Sequence, residues 1–144
     1  MDTAATLERL LAARILVLDG AMGTLIQSYR LGEEDFRGSA FRDHPRDLEG
    51  CNDVLSITRP DVIEEIHRQY LDAGADIVET NSFTATSISL ADYGIEDHAR
   101  AINRAAAEVA VRAAREATRR TPERPRFAAG SVGPTNRTPR SPPT

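Results

Sequence analysis

Three short stretches of the 144-residue chain combine small residues with a carboxylate, an amide or a hydroxyl. They are Asp19-Gly20-Ala21-Met22-Gly23-Thr24, Glu79-Thr80-Asn81-Ser82 and Gly130-Ser131-Val132-Gly133-Pro134. Asp19 could bind a substrate ammonium. Gly20 and Gly23 would let the backbone approach a ligand closely, and a helix starting near Met22 would aim free N–H groups at a carboxylate or phosphate. The plainer alternative is that Asp19 caps that helix and the glycines only make a turn, Asp-Gly being a common turn pair. Glu79, if turned into an interior, is a desolvated carboxylate that needs a cationic or N–H partner; a substrate ammonium and a structural Arg both answer that need. Asn81 offers a donor and an acceptor, or makes a local Asx turn. Gly130 and Gly133 most simply terminate a strand.

The remaining reactive side chains are isolated. Cys51 stands in a polar stretch beside Gly50 and Asn52 with no evident His partner, so an incidental thiol is the better reading than a nucleophile. His67 reads as a helix-surface or packing residue, and His44 and His98 as solvated residues before turn or helix-start signals. No catalytic residue is assigned, and the three His are too far apart for short metal-ligand spacing.

The elements that must position these residues follow from periodicity. Leu7, Leu10 and Leu11 predict an opening helix with Thr3 or Thr6 as N-cap. Ile15 to Leu18 is an apolar run closed by Asp19-Gly20, the pattern of a strand buried on both faces. Residues 21–31 predict a helix leaving directly from that turn. From Gly32 to Ser56 the chain is polar, turn-rich and irregular, which suggests a functional loop or a cover. Pro60, then Asp61, Glu64 and Glu65, the apolar series Val62, Ile63, Ile66 and Tyr70, and a stop at Gly74 define the clearest helix. Ile77 to Asn81 predicts a second strand, with Ile77, Glu79 and Asn81 on one side and Val78 and Thr80 on the other. A short helix over 84–93 ends at Gly94. A long one over about 96–120 carries the stripe Ile102, Ala106, Val109 and Ala113 and ends before Pro122 and Pro125. Residues 126–133 predict a third strand, and the stretch after it, PTNRTPRSPPT, has no apolar residue.

Strands alternating with helices imply parallel strands and right-handed crossovers, an α/β fold that is either doubly wound or a (β/α)8 barrel. The residues after the first strand lack the G-x-G-x-x-G dinucleotide fingerprint, which favours the barrel. In either architecture, working residues gather where strands end at their C-termini, where all three polar stretches lie.

Composition removes several classes of function. All 18 basic residues are Arg, so Schiff-base, pyridoxal and Walker A chemistry, which require a Lys amine, are excluded. A single Cys gives no internal disulfide framework and no zinc site built from three or four thiolates. Net charge is −4, but residues 1–111 hold 10 Arg against 20 acidic residues and residues 112–144 hold 8 Arg against 2 Glu. An acidic body argues against nucleic-acid binding. No stretch approaches the roughly 18 to 20 apolar residues of a membrane span, and the first 18 residues do not resemble a signal peptide, so a cytoplasmic protein is expected.

Three motifs carry a resemblance: ILVLDGAMGTLIQ (15–27), GCNDVLSITRPDVIEEIHRQYLDAGADIVETNSF (50–83) and AGSVGPTNRT (129–138). Together they resemble the N-terminal part of the homocysteine-binding domain of cobalamin-dependent methionine synthases, within the homocysteine S-methyltransferase family. That family also includes betaine- and S-methylmethionine-dependent enzymes; CNDVLSITRPDVI and ETNSFTAT favour the cobalamin-dependent branch. The resemblance implies a (β/α)8 TIM barrel that binds homocysteine at the C-terminal face of its strands. It implies a zinc ion held by three Cys thiolates that makes the substrate thiolate available. It also implies methylcobalamin, charged by 5-methyltetrahydrofolate on other domains, as methyl donor. By matching position, Asp19, Gly20, Ala21, Met22, Gly23 and Thr24 would hold the amino-acid end of homocysteine, with Glu79 and Asn81 lining the pocket.

The sequence departs from the family at the metal. The family's zinc cysteines lie on later strands, beyond Thr144, and Cys51 matches none of them. About three βα units occupy this chain, and five more at about 30 residues each would be needed for a barrel of ~250 residues. Residues 1–144 therefore read as an incomplete, N-terminal portion of such a barrel, with 139–144 as a polar, Pro-rich truncation point. It would work alongside the remaining barrel, folate and cobalamin domains. Alone it is expected to be inactive, to bind neither zinc nor methylcobalamin well, and to self-associate through unpaired strand edges. Two alternatives remain: another α/β barrel, pterin-binding or aldolase-like, using Asp19 and Glu79 as acid and base, and a non-catalytic binding module.

Overall fold

The structure, a computed structural model, describes residues 2–135. It opens on helix α1 (Thr3–Ala13), whose N-cap is Asp2: its Oδ1 accepts from the amides of Ala4 at 3.0 Å and Ala5 at 3.4 Å. The two threonines proposed from sequence lie inside the helix, because the carboxylate one residue earlier satisfies the orphan N–H groups and complements the helix dipole. Thr6 instead returns its hydroxyl to the carbonyl of Asp2.

Residues 15–18 run parallel to strand β1 (Ile77–Glu79) as a single bridge, Leu18 opposite Ile77, rather than as a regular strand. The amides of Asp76 and Ile77 donate to Val17 O, and the Asp19 amide donates to Ile77 O at 3.0 Å. β1 pairs in parallel with β2 (Phe127–Ala129) on its other side, Ile77 opposite Phe127 and Glu79 opposite Ala129. The sheet order is therefore residues 15–18, β1, β2, with two regular strands. The first segment does not have the burial its apolar run predicts: Ile15 is 87%, Val17 52% and Leu18 49% exposed. An apolar strand is buried only where elements cover its faces, and among the described residues these three are at most half covered.

After Asp19 the chain forms α2 (Met22–Ser28) and α3 (Glu33–Arg37), then a 3-10 turn at Asn52–Val54 and α4 (Leu55–Thr58). The stretch 32–56, expected to be an irregular functional loop or cover, is thus partly helical and feeds the core. Phe36, Phe41, Leu48, Cys51, Val54 and Leu55 are all buried in the main core. Their spacing follows no single period, so the polar residues between them hide the pattern. Those residues shape the segment: the Glu33 carboxylate accepts from the amides of Leu48 at 2.8 Å and Glu49 at 2.6 Å.

Helix α5 (Pro60–Ala73) has the boundaries its sequence predicts, with Pro60 in the first turn and Gly74 at φ 113° in the left-handed C-cap. The predicted 84–93 helix divides into α6 (Ser87–Leu90) and a 3-10 turn over Ala91–Tyr93. The long helix begins as a 3-10 turn at Glu96–His98 and continues as α7 (Ala99–Arg120). Its buried stripe is mostly alanine: Ala106, Ala110, Ala113, Ala114 and Ala117 join Ile102 and Val109. Small side chains let α7 lie close to α5 and to Val78 of the sheet, where Ile63, Ile66 and Val78 are fully excluded from solvent. Burial of each such side chain contributes about 1.5–3 kcal/mol.

One polar residue anchors this packing. Asp76, fully buried before β1, accepts Arg14 Nη1 and the Val17 amide on Oδ2, and Arg14 Nη2 and Arg124 Nε on Oδ1, all at 2.9–3.0 Å. These cations hold its carboxyl well below the usual carboxylate range. The residue ties the ends of α1, the first extended segment and the approach to β2 to one point.

Candidate functional site

The C-terminal ends of the parallel segments open into a cleft of about 370 Å³ lined by residues 19–23, 52–53, 79–84 and 131. Parts of all three polar stretches meet there. Thr24 does not; it sits on α2 outside the lining.

Asp19 forms the floor, with a side chain only 3% exposed. Its Oδ1 accepts the Glu79 amide at 2.8 Å, clasping the ends of two neighbouring parallel segments. It does not cap α2, whose first turn has no side-chain cap; the N-cap is Ala21, in the left-handed region at φ 50°. Burial pushes the Asp19 carboxyl up to about 6, against the lowering effect of the Glu79 amide. Among Gly20, Ala21 and Gly23, the left-handed backbone falls on the alanine. The chain's own packing leaves open space beside Gly20 and an ordinary 3.7 Å approach at Gly23.

Alternation in β1 holds as far as Thr80: Val78 and Thr80 are buried, Ile77 and Glu79 half-buried. Glu79 lines the cleft and makes no ion pair among the described residues, so the structural-Arg reading of it is not what the structure shows. Asn81 is buried, and its Nδ2 donates to Asn52 O at 2.7 Å and Ser56 Oγ at 3.2 Å. It is a cross-link to the 52–56 segment and not a local turn. With both amide hydrogens committed, its carbonyl oxygen is what it can offer the cleft.

Sequence reasoning missed Asp53 and gave Thr80, Ser82 and Ser131 no role of their own. Asp53 is buried, and its carboxylate accepts both the amide of Thr84, at 3.1 Å, and the Thr84 hydroxyl. The Thr80 and Ser82 hydroxyls link to the backbone of Ser131: the Ser131 amide donates to Thr80 Oγ1 at 2.9 Å, and Ser82 Oγ donates to Ser131 O at 2.9 Å. Ser82 has then used its hydrogen, so Thr80 donates to Ser82 across 2.6 Å. Gly133 completes the tip, donating its amide to Phe83 O at 2.9 Å. No periodic signal marks these residues, because each acts through a partner distant in the chain.

The lining thus contains three carboxylates, from Asp19, Asp53 and Glu79, and no Arg or His. Such a site favours a cationic group. Among the described residues no three His, Cys, Asp or Glu side chains come together to hold a metal ion. Cys51 is buried, and burial pushes its thiol up to about 11, so it stays protonated at neutral pH. His67 is wholly buried, which is the packing alternative and not the helix-surface one. His44 is not simply solvated: its Nε2 lies 2.7 Å from Tyr93 O, while the exposed His98 sits edge-on to Phe41 at 5.0 Å. No described helix is long and apolar enough to cross a membrane.

Residues 16–143 match the family model described as homocysteine S-methyltransferase. The chain belongs to the homocysteine S-methyltransferase family. Among solved structures it is similar to the homocysteine methyltransferase MmuM from Escherichia coli. The metallated form is 29% identical with a TM-score of 0.67, over 89% of this chain and 41% of that one. The oxidized form is 28% identical with a TM-score of 0.68, over 88% and 40%. The apo form is 26% identical with a TM-score of 0.59, over 88% and 39%. The chain thus spans about two-fifths of the length of these homocysteine methyltransferase structures. All the residues that line the cleft fall within the stretch matched by the family model.

Proposed function

We propose that this chain seats the amino-acid end of homocysteine in a homocysteine S-methyltransferase of (β/α)8 architecture. The observation that carries the reading is the acidic cleft at the strand ends, where Asp19 and Glu79 lie side by side with no cationic side chain lining it. An incoming ammonium supplies the missing positive charge. It favours the ionised form of Asp19, which desolvation otherwise holds up near 6, and it gives Glu79 its counter-ion. The carbonyl of Asn81 accepts from the same ammonium, and Gly20 to Gly23 border the part of the cleft left for the substrate carboxylate. These groups orient the amino acid, so that its side-chain sulfur is presented away from the floor of the cleft.

In the reaction, homocysteine sulfur attacks the donor's methyl carbon. A C–S bond forms as the methyl–donor bond breaks, and the thiol proton is lost to give methionine. The described residues do not fit the three-thiolate zinc site that the resemblance implies: the lone Cys51 is buried and protonated, and no ligand cluster exists among them. We therefore assign substrate seating to this chain and thiol activation to no residue of it, so that alone it turns over no substrate. The motifs over 50–83 favour methylcobalamin as donor, with S-methylmethionine and betaine as the other family options.

Calorimetry tests the seating. L-Homocysteine should bind at pH 7.5, and 4-mercaptobutyrate, which keeps the thiol and carboxylate but lacks the ammonium, should not. Asp19→Asn combined with Glu79→Gln should weaken homocysteine at least tenfold. Equal affinity for the two ligands, or no effect of the double substitution, refutes the role given to the carboxylates. A homocysteine-dependent turnover by the isolated chain refutes the division of labour.

A further inference from the structure

Helix α5 turns His67 into the core among Val62, Ile63, Ile66 and Leu71, all buried. The imidazole is fully excluded from solvent, and neither Nδ1 nor Nε2 has a hydrogen-bond partner. A buried polar ring without partners is destabilising where a leucine would fill the same space, so its presence calls for a reason. The ring faces one polar group of the cleft. Its Nδ1 lies 4.0 Å from Asp19 Oδ2, about an ångström longer than a hydrogen bond, while the other oxygen of Asp19 is held by the Glu79 amide.

We propose that His67 is a positioning residue whose Nδ1–H holds the Asp19 carboxylate in place for a cationic group in the cleft. Burial pushes the imidazole down to about 4, so it is neutral through the physiological range and donates one N–H without adding a charge to the core. Asp19, raised to about 6, is the group whose charge changes nearby. A neutral donor aimed at Oδ2 favours the carboxylate over the acid, and closure of the 4.0 Å gap accompanies ionisation. The other charged groups facing this pair are Glu64 on α5, which raises the imidazole slightly, and Glu79 on β1, which raises Asp19. Neither reverses the assignment. His67 touches no substrate. It acts through Asp19, fixing the carboxylate's rotamer from behind while the Glu79 amide fixes it from the side. The identity of the cationic group rests on the proposed function; the coupling of His67 to Asp19 does not.

Carboxyl-carbon NMR titration of Asp19 in the ligand-free chain tests that coupling directly. In wild type the midpoint should lie near 6, and in His67→Leu, which fills the space without a donor, it should rise above about 7. His67→Asn, whose Nδ2 can take the place of Nδ1, should return it toward the wild-type value. Imidazole nitrogen shifts of the wild type should report the Nδ1–H tautomer. Homocysteine affinity should fall at least about threefold in His67→Leu at pH 6.5 and less than twofold at pH 8.5, where Asp19 is ionised in either protein. An unchanged Asp19 midpoint in His67→Leu, or an Nε2–H tautomer in the wild type, overturns the proposal. Should His67→Leu fail to fold, the tautomer and His67→Asn still decide it. Absence of homocysteine binding in every variant, with the Asp19 shift intact, refutes the proposed substrate and leaves the pair standing.

Discussion

Replacement of Asp76 by Asn is the sharpest test of what holds the site in place. Each carboxylate oxygen accepts two hydrogen bonds, Oδ1 from Arg14 and Arg124 and Oδ2 from Arg14 and the Val17 amide. An amide in the same position keeps one acceptor and turns an NH2 toward two donors, so whichever way it flips two contacts are lost and two donors are left facing a third. Hydrogen bonds to a charged group contribute about 1.5–3 kcal/mol each, and breaking a buried pair costs about 3–5 kcal/mol. The Arg14 and Arg124 side chains are 36% and 40% exposed, so water re-solvates their guanidinium groups when released, which brings the expected loss down to about 3 kcal/mol. At a urea slope of ~2 kcal/mol/M this lowers the unfolding midpoint by about 1.5 M at pH 7.

The pH dependence follows from the direction of the shift. Asp76 is depressed in the folded chain, so its contribution is fully present above the unfolded value of about 4 and fades as pH falls from there toward the folded value. Wild type and Asp76→Asn should therefore converge as pH drops from about 4 to about 2. A midpoint shift below about 0.5 M at pH 7, or a difference that persists undiminished at pH 2, refutes the ion-pair account.

Two further outcomes are expected. A Cβ on Gly133 would clash with the backbone oxygen of Phe83, so Gly133→Ala must part the tip from residue 83 and lose the hydrogen bond between them. Amide exchange at position 133 should quicken at least tenfold, with a stability loss of about 1–3 kcal/mol; unaltered exchange would show the contact is not maintained in solution. Ile15 and Val17 present exposed apolar side chains beside a strand edge, so Ile15→Thr with Val17→Thr should reduce concentration-dependent light scattering by the chain. Scattering equal to wild type would place any self-association elsewhere.

Local chemistry made much of this molecule legible from its residues. The Pro60 start, the apolar series through Ile66 and the Gly74 stop define α5 without reference to any neighbour, because propensity, capping and dipole agree. The turn at Asp19-Gly20 and the polar ends of β1 and β2 announced where a site would lie, since strand ends and their following loops are set by short-range pattern. Family membership was equally visible, being carried by contiguous motifs.

Tertiary structure alone decided which polar groups serve the cleft and which serve the fold. Asp19 and Asp53 were ambiguous or silent in sequence because their partners, Glu79 and Thr84, lie 60 and 31 residues away. Asn81 became a cross-link and Asp76 an anchor for the same reason. The stretch 32–56 read as polar although it contributes Phe36, Phe41 and Leu48 to the core, its apolar residues being spaced by tertiary fit and not by helix or strand period. Ile15 to Leu18 shows the converse: its pattern specifies a buried strand, but burial belongs to the neighbours that cover a face, and a chain's own pattern cannot supply them.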